Sequence, residues 1–222
     1  MIACRLSTKC WFAISAITLS WILIGCGATQ PVRVLPANAS AVTASLGGPL
    51  VPGKAPTVIT PYLTAGYMHG VSDNVTLHGN LHLLMAAFAV TGVDVGASAR
   101  LVRGDGWTPE VTGSVRAYGF VQLSDQPKPR IYPSVSANAS WSVRENDLIY
   151  AGSHVTAQWT PGDVFVSPFI GYSFAATRNL SLQLECIWQA SNHVTRSGIL
   201  EGISSIQGYG SFGIFLAGAV QL

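Results

Sequence analysis

Apolar and polar residues alternate with a period of two along most of the chain that follows residue 38. This period is typical of β-strands with one apolar and one polar face. In segment 131–143, for example, Val135 and Trp141 share one face, and Asn138 lies on the other. The repetition of the pattern between polar turn sequences predicts a multi-stranded antiparallel sheet. Ten strands are predicted, at about 38–47, 57–71, 75–89, 93–103, 109–123, 130–143, 148–160, 164–176, 180–192 and 206–222.

The two faces of these strands differ from those of a water-soluble sheet. Their apolar face carries no charge, and their polar face is mostly Ser, Thr, Asn, Gln and His. Charged residues make up 10% of the chain, against about 25% in soluble domains, so the chain lacks the charge to cover itself in water. A sheet in hydrocarbon must close on itself, because every backbone polar group there has to be paired. We therefore expect an all-β, closed antiparallel transmembrane barrel over residues 38–222, with ten strands. The first strand is weakly patterned, and a barrel of eight strands is the alternative.

Residues 1–25 have the parts of an export signal. Arg5 and Lys9 precede an apolar stretch over 11–24, and small residues follow. Without those two residues the basic and acidic side chains are equal in number, and no basic patch predicts a nucleic-acid partner. The four cysteines predict no disulfide, because three fall in or at the end of this leader.

The sequence Leu23-Ile24-Gly25-Cys26 resembles the lipobox of bacterial lipoproteins. The resemblance implies cleavage before Cys26, a diacylglycerol on its thiol and a further acyl chain such as palmitate on its amine, with no other cofactor. Residues 26–37 would then be a lipidated N-terminus and tether. Their prolines and small residues offer little to pack. An ordinary signal peptide with an incidental cysteine is the alternative.

Over about four-fifths of its length, the chain resembles small bacterial outer-membrane β-barrel proteins. The resemblance implies contact with outer-membrane lipids and with the barrel-assembly and lipoprotein-sorting machinery. An even number of strands places both termini on one side, which the lipidated N-terminus assigns to the periplasm. The longest predicted loop, 193–204, then lies outside the cell.

Placing the polar face inward predicts a lumen network of His78, Asn80, His82, Asp94, Arg100, Glu110, Arg116, His154 and Glu185. His78 and His82 both point inward but lie about 13 Å apart along their strand, too far to share one metal ion. We expect no metal site here. Asp94 or Arg100 on a neighbouring strand is expected beside these histidines, with opposite charges satisfying one another.

The longest loop offers His193, Arg196 and Glu201 as candidate ligand contacts. No catalytic residue is predicted: outer-membrane lipid A deacylases carry an H-x-S-N arrangement, and here Gln189 stands where that histidine would precede Ser191-Asn192.

The favoured function is a non-enzymatic barrel, either a narrow pore for small polar solutes or a structural or binding barrel. Two alternatives stay open. One is an outer-membrane enzyme that acts on lipid or peptide at the extracellular rim. The other is a soluble periplasmic β-barrel or sandwich lipoprotein that binds a small ligand.

Overall fold

The structure is a computed structural model that describes residues 31–51, 58–59, 62–84, 86, 89–123, 129–159, 162–194 and 209–222. Its strands are β1 (Ser40–Val51), β2 (Val58–Ile59), β3 (Tyr62–Ser72), β4 (Val75–His82), β5 (Val90–Val102), β6 (Glu110–Gln122), β7 (Pro129–Arg144), β8 (Asp147–Gln158), β9 (Asp163–Ala175), β10 (Leu180–Val194) and β11 (Tyr209–Gln221). The predicted export signal, Cys26, Arg196 and Glu201 lie outside the described residues.

The sheet closes into a barrel. Neighbouring strands pair antiparallel in chain order, and β11 pairs with β1 from Ala41↔Gln221 to Pro49↔Gly213. The two-residue β2 pairs only with the end of β1, so ten long strands form the wall. The predicted ten-stranded all-β barrel is confirmed, and the eight-stranded alternative is set aside. In the part of the chain that the structure describes, no helix is long and apolar enough to cross a membrane.

The barrel has two distinct ends. The terminus end holds the start of β1, the end of β11 and the connections that follow β3, β5, β7 and β9. The loop end holds the connections that follow β1, β4, β6, β8 and β10, parts of which are outside the described residues. Both ends of the barrel sheet therefore lie on one side, as the even strand number requires.

Side chains divide cleanly between the two faces of the wall. Four outward residues on adjacent strands, Leu77, Val95, Val115 and Val135, are 50%, 63%, 58% and 53% exposed. Inward residues beside them on the same strands, including Thr76, Ser98 and Thr112, are 0% exposed. On β4, β5 and β6 the outward side chains are apolar and the inward ones are polar, which is the reverse of a soluble globular protein.

The predicted extension of the strand over 75–89 as far as residue 89 is wrong. β4 ends at His82, and the chain then turns, with Ala86 N donating to Leu83 O and Ala89 N donating to Ala86 O. Ala89 has a left-handed φ of 55°. The alternation stops at Leu83-Leu84. In a strand, two consecutive apolar residues would point to opposite faces, one to the outside and one to the polar lumen, so the strand pattern ends there.

The expectation that residues 27–37 pack against nothing is wrong for the residues that the structure describes. The chain enters the barrel at the terminus end, where Pro31, Val32 and Val34 are buried. Leu35 N donates to the inward hydroxyl of Thr76 at 2.7 Å. The physical reason is that Val32 packs against apolar side chains inside the lumen, which the expectation of a polar interior did not include.

Candidate functional site

Asp94 is the centre of the polar side of the lumen. Asn80 lies directly opposite it on β4 and donates to its two carboxylate oxygens at 2.9 and 3.2 Å. His82 Nε2 lies 2.9 Å from Asp94 Oδ2, and Arg116 Nε lies 3.5 Å from Asp94 Oδ1. All four side chains are buried. A charged group is tolerated in such a place only when partners surround it, and here three partners do.

Arg116 links this centre to His78. Its guanidinium donates to His78 Nδ1 at 3.3 Å and to the hydroxyl of Tyr118 at 3.4 Å. Gly96 lies between His78 and Arg116 in the cross-strand row, and a Cβ at that glycine would collide with the His78 ring. The absence of a side chain on β5 therefore lets residues of β4 and β6 meet across it.

The two histidines keep separate partners, as their spacing requires. Within the described ranges, no three His, Cys, Asp or Glu side chains come together as a metal site would need. The structure places Asp94 beside His82, whereas Arg100 lies elsewhere.

Arg100 and Glu110 form a second cluster near the terminus end. Arg100 Nε lies 3.4 Å from Glu110 Oε2, and Arg100 Nη1 donates to Asn74 Oδ1 in the turn after β3. Arg33 of the N-terminal segment lies 3.8 Å from the same carboxylate and donates to Ser140 Oγ at 3.0 Å. The segment thus supplies one charge of the lumen network.

The opposite side of the lumen is apolar. Tyr150, Phe169, Ile187 and Phe215 form a buried cluster, and Val32 of the N-terminal segment completes it. We call these five residues the apolar cluster.

Glu185 and His154 border the apolar cluster. Tyr150 donates to Glu185 Oε2 at 3.1 Å and accepts from Gln183 at 2.6 Å. The His154 ring packs on Phe169 with centroids 4.6 Å apart. The carboxylate of Glu185 accepts a hydrogen bond from the Tyr150 phenol, and Arg116 interacts with its charge. The predicted lumen residues therefore form three groups, and Arg116 connects two of them electrostatically.

Sequence reasoning missed the apolar cluster and Arg33. The signal was present, because Phe169, Ile187 and Phe215 occupy inward positions, and apart from Phe165 most other inward residues of these strands are small or polar. Gly171 is a second signal: it lies between Tyr150 and Glu185 in the cross-strand row, and a Cβ there would overlap the Tyr150 ring.

The N-terminal segment, residues 31–35, lies between the two sides of the lumen. Val32 contacts the apolar cluster, and Arg33 and Leu35 bond to Ser140 and Thr76 on the polar side. A cavity of about 260 Å³ remains beside the segment at the terminus end, lined among others by Pro31, Arg33, Leu148 and Gln183.

The predicted outer-loop residues are placed only in part. His193 Nε2 lies 3.6 Å from Asp163 and its ring packs against Phe165 near the loop end. Ser191 Oγ donates to Val166 O at 2.9 Å, and Asn192 Nδ2 donates to Val164 O at 2.7 Å. Their side chains hold β10 to β9.

Comparisons with known proteins show likeness in structure alone. No family model matches the chain, and no curated protein matches it. The barrel is similar to an outer membrane channel from Pseudomonas putida F1, with 10% identity and a TM-score of 0.49 over 88% of this chain and 100% of that one. It is also similar to the KdgM porin, with 6% identity and a TM-score of 0.47 over 82% and 99%. The NanC porin gives 7% identity and a TM-score of 0.45 over 83% and 100%.

Replacement Asp94→Asn tests the polar cluster. It removes the carboxylate closest to the buried guanidinium of Arg116, and breaking a buried ion pair on one side costs about 3–5 kcal/mol. We expect the free energy of unfolding in urea to fall by that amount. The control is Asp105→Asn in the exposed turn after β5, with an expected change within about 0.5 kcal/mol. Equal effects of the two replacements would contradict the central position of Asp94.

Proposed function

We propose that the chain is an outer-membrane barrel that forms a narrow channel, and that its N-terminal segment closes the channel at the terminus end. The observation that carries the proposal is the position of residues 31–35 between the polar and apolar sides of the lumen. The enzyme alternative has no comparable support, because Ser191 donates to a main-chain carbonyl.

The outward face supports a membrane environment. Large apolar side chains such as Leu101, Val95 and Ile170 are more than half exposed, and they continue around the barrel. Soluble monomers rarely expose a contiguous apolar surface larger than a few hundred Å². A hydrocarbon surrounding removes that cost, and it argues against the soluble lipoprotein alternative.

The contacts of the N-terminal segment are of two kinds. Val32 is 8% exposed and is held by burial among aromatic and aliphatic side chains, which is non-directional. Arg33 is held by a charge-assisted hydrogen bond to Ser140 and by the Glu110 carboxylate, which fix its register. Withdrawal of the segment would leave a gap about one polypeptide chain wide along the lumen axis.

The gap would have the apolar cluster on one side, and the residues on its polar side indicate the solutes. Inward Ser, Thr, Asn and Gln side chains, with the paired charges of Asp94, Arg116 and Glu110, offer hydrogen bonds but no large unbalanced field. A ten-stranded barrel also encloses little space. The interior of an eight-stranded barrel is filled by its side chains, and two further strands widen it only slightly. Small polar solutes fit these properties best.

We assign the terminus end to the periplasm, on the basis of a lipidated Cys26. Five peptide units join Cys26 to Pro31, and an extended chain of that length spans at most about 18 Å. Acyl chains on Cys26 would therefore anchor the chain close to the terminus end. This role also requires the lipoprotein-sorting and barrel-assembly machinery as partners.

Replacement Arg33→Glu tests the closure. It sets a carboxylate against Glu110 and removes charged hydrogen bonds worth about 1.5–3 kcal/mol, which shifts the ratio of closed to open channel by roughly tenfold to a hundredfold. We expect single-channel recordings in planar bilayers to show rare openings of the wild-type chain and frequent openings of the variant.

The matched control for the closure is Arg178→Glu. Arg178 is an exposed arginine at the same end, beside the same cavity, so its replacement makes the same charge change without touching the segment. Its openings should stay at the wild-type level. The absence of any openings in the wild-type chain and both variants would overturn the proposal of a channel. Equally frequent openings of all three would overturn the proposal that the N-terminal segment closes it.

A pair of arginine replacements on β7 tests the membrane environment. Val135 and Val143 are both outward and both 53% exposed, but Val143 lies at the terminus end of the strand and Val135 nearer its middle. We expect Val135→Arg to lower the free energy of unfolding from lipid vesicles by about 2–4 kcal/mol, and Val143→Arg by about 0–1 kcal/mol. Depth-independent effects would contradict a transmembrane β7.

Replacement Cys26→Ser tests the lipid anchor. Cells fed radiolabelled palmitate should label the wild-type chain and leave the variant unlabelled, because only a thiol accepts the diacylglycerol. Heat-modifiable gel mobility is the control, since the barrel of both proteins should resist detergent until boiled. An unlabelled wild-type chain would indicate an ordinary signal peptide.

A further inference from the structure

The ladder between β9 and β10 ends halfway along the wall. Its backbone register runs from Ser181↔Ala175 at the terminus end to Ile187↔Phe169. On the other side of β9, the ladder with β8 continues to the start of the strand at Gln158↔Asp163. The loop-end half of the β9–β10 boundary is therefore different from the neighbouring wall.

Side chains fasten the two strands where the ladder has ended. Four hydrogen bonds serve this purpose. Ala190 N donates to Ser167 Oγ at 3.0 Å, and Ser191 Oγ donates to Val166 O at 2.9 Å. Asn192 accepts from Val166 N at 2.8 Å and donates to Val164 O at 2.7 Å. We call this boundary, between 164–168 and 188–192, the seam.

Local backbone chemistry explains why the ladder stops there. Pro168 directly precedes Phe169, at which the pairing with β10 ends toward the loop end, and it has no N–H to donate. Ala190 adopts a φ of 48°, which takes β10 out of regular strand geometry. The register of β10 with β11 also shifts between Gln189 and Val194. The pairing of β10 is thus irregular on both of its sides at this height, toward β9 and toward β11.

The lumen side of the seam carries Phe165 together with the polar residues Ser167 and Gln189, and it borders the apolar cluster. The last backbone pair of the ladder joins Phe169 to Ile187, and both belong to the apolar cluster. Phe165 lies further toward the loop end on the same strand, against His193. Outside the wall at this height stand Val164 and Ile170, which are exposed. Where it borders the apolar cluster, the seam therefore separates a partly apolar lining from an apolar exterior.

We propose that the seam is a lateral opening through which a small apolar molecule passes from the lumen into the membrane. The inference rests on the membrane-spanning position given under the proposed function, but not on ion conduction. A molecule that enters at the loop end meets the N-terminal segment across the lumen axis and the apolar cluster beside it. The seam is the adjacent exit, since side-chain bonds between Ser167, Ser191 and Asn192 and their partners open without unzipping a continuous ladder.

A reversible cross-link across the seam tests the opening. Ser167→Cys and Ser191→Cys are combined with Cys186→Ser and joined by a short reagent that bridges two thiols and is cleaved by reduction. The probe is N-phenylnaphthylamine, an apolar dye whose fluorescence rises in hydrocarbon and which an intact outer membrane largely excludes. Dye uptake is followed in intact cells that carry the chain.

We expect cells with the uncross-linked variant to take up the dye severalfold faster than cells without the chain. Cross-linking should reduce uptake to the level of cells without the chain, and reduction should restore it. The control pair is Ala139→Cys with Ala151→Cys, also combined with Cys186→Ser. These two residues are directly paired across the β7–β8 ladder, away from the seam, where the same treatment should change nothing. Uptake that is insensitive to the seam cross-link, or no faster than without the chain, would overturn the proposal.

Conductance of the same cross-linked proteins separates the seam from the channel. Ion flow along the lumen axis should not depend on the seam cross-link. Dye uptake that depends on the seam, without any conductance, would support the lateral opening and contradict the axial channel. Conductance without seam-dependent dye uptake would support the axial channel and contradict the lateral opening.

Discussion

Pairing of backbone polar groups is the constraint on which the rest of this structure depends. The outward face of these strands is apolar, so no water is available there to pair the N–H and C=O groups of an open sheet edge. The sheet must therefore close on itself. The pairing of β11 with β1 over Ala41 to Pro49 provides that closure. Once the sheet is closed, each polar residue at an inward position is removed from bulk water and must find a partner inside. The buried Asp94, Arg116 and Glu110 clusters follow from this requirement.

The strands and their two faces could be predicted because period-two alternation is a local property of the sequence. Partners inside the lumen could not, because they depend on the stagger between strands, which alternation leaves open. Asp94 lies beside His82, but Arg100 lies six residues further along the same strand, beside Glu110. The apolar cluster was hidden for a related reason: its fifth member, Val32, comes from a segment whose composition reads as a linker.

Glycine is the local signal that connects sequence to these contacts. Gly96 lies between His78 and Arg116, and Gly171 lies between Tyr150 and Glu185, in rows of directly paired residues. In both rows a long side chain reaches over the glycine to a residue two strands away. An inward glycine in an otherwise regular strand therefore marks where long side chains meet.

The same pairing constraint explains why the seam carries Ser167, Ser191 and Asn192. In a wall between water and hydrocarbon, an interrupted ladder can be hydrated from the lumen. Between the apolar cluster and the apolar exterior, water finds few polar partners. The unpaired backbone groups of β9 therefore need partners from the protein. Hydroxyl and amide side chains supply them one bond at a time, at 2.7 to 3.0 Å. A wall held in this way satisfies its polar groups when closed, yet it lacks the cooperativity of a continuous ladder. An opening in the wall is therefore easier at this boundary than along the complete β8–β9 ladder.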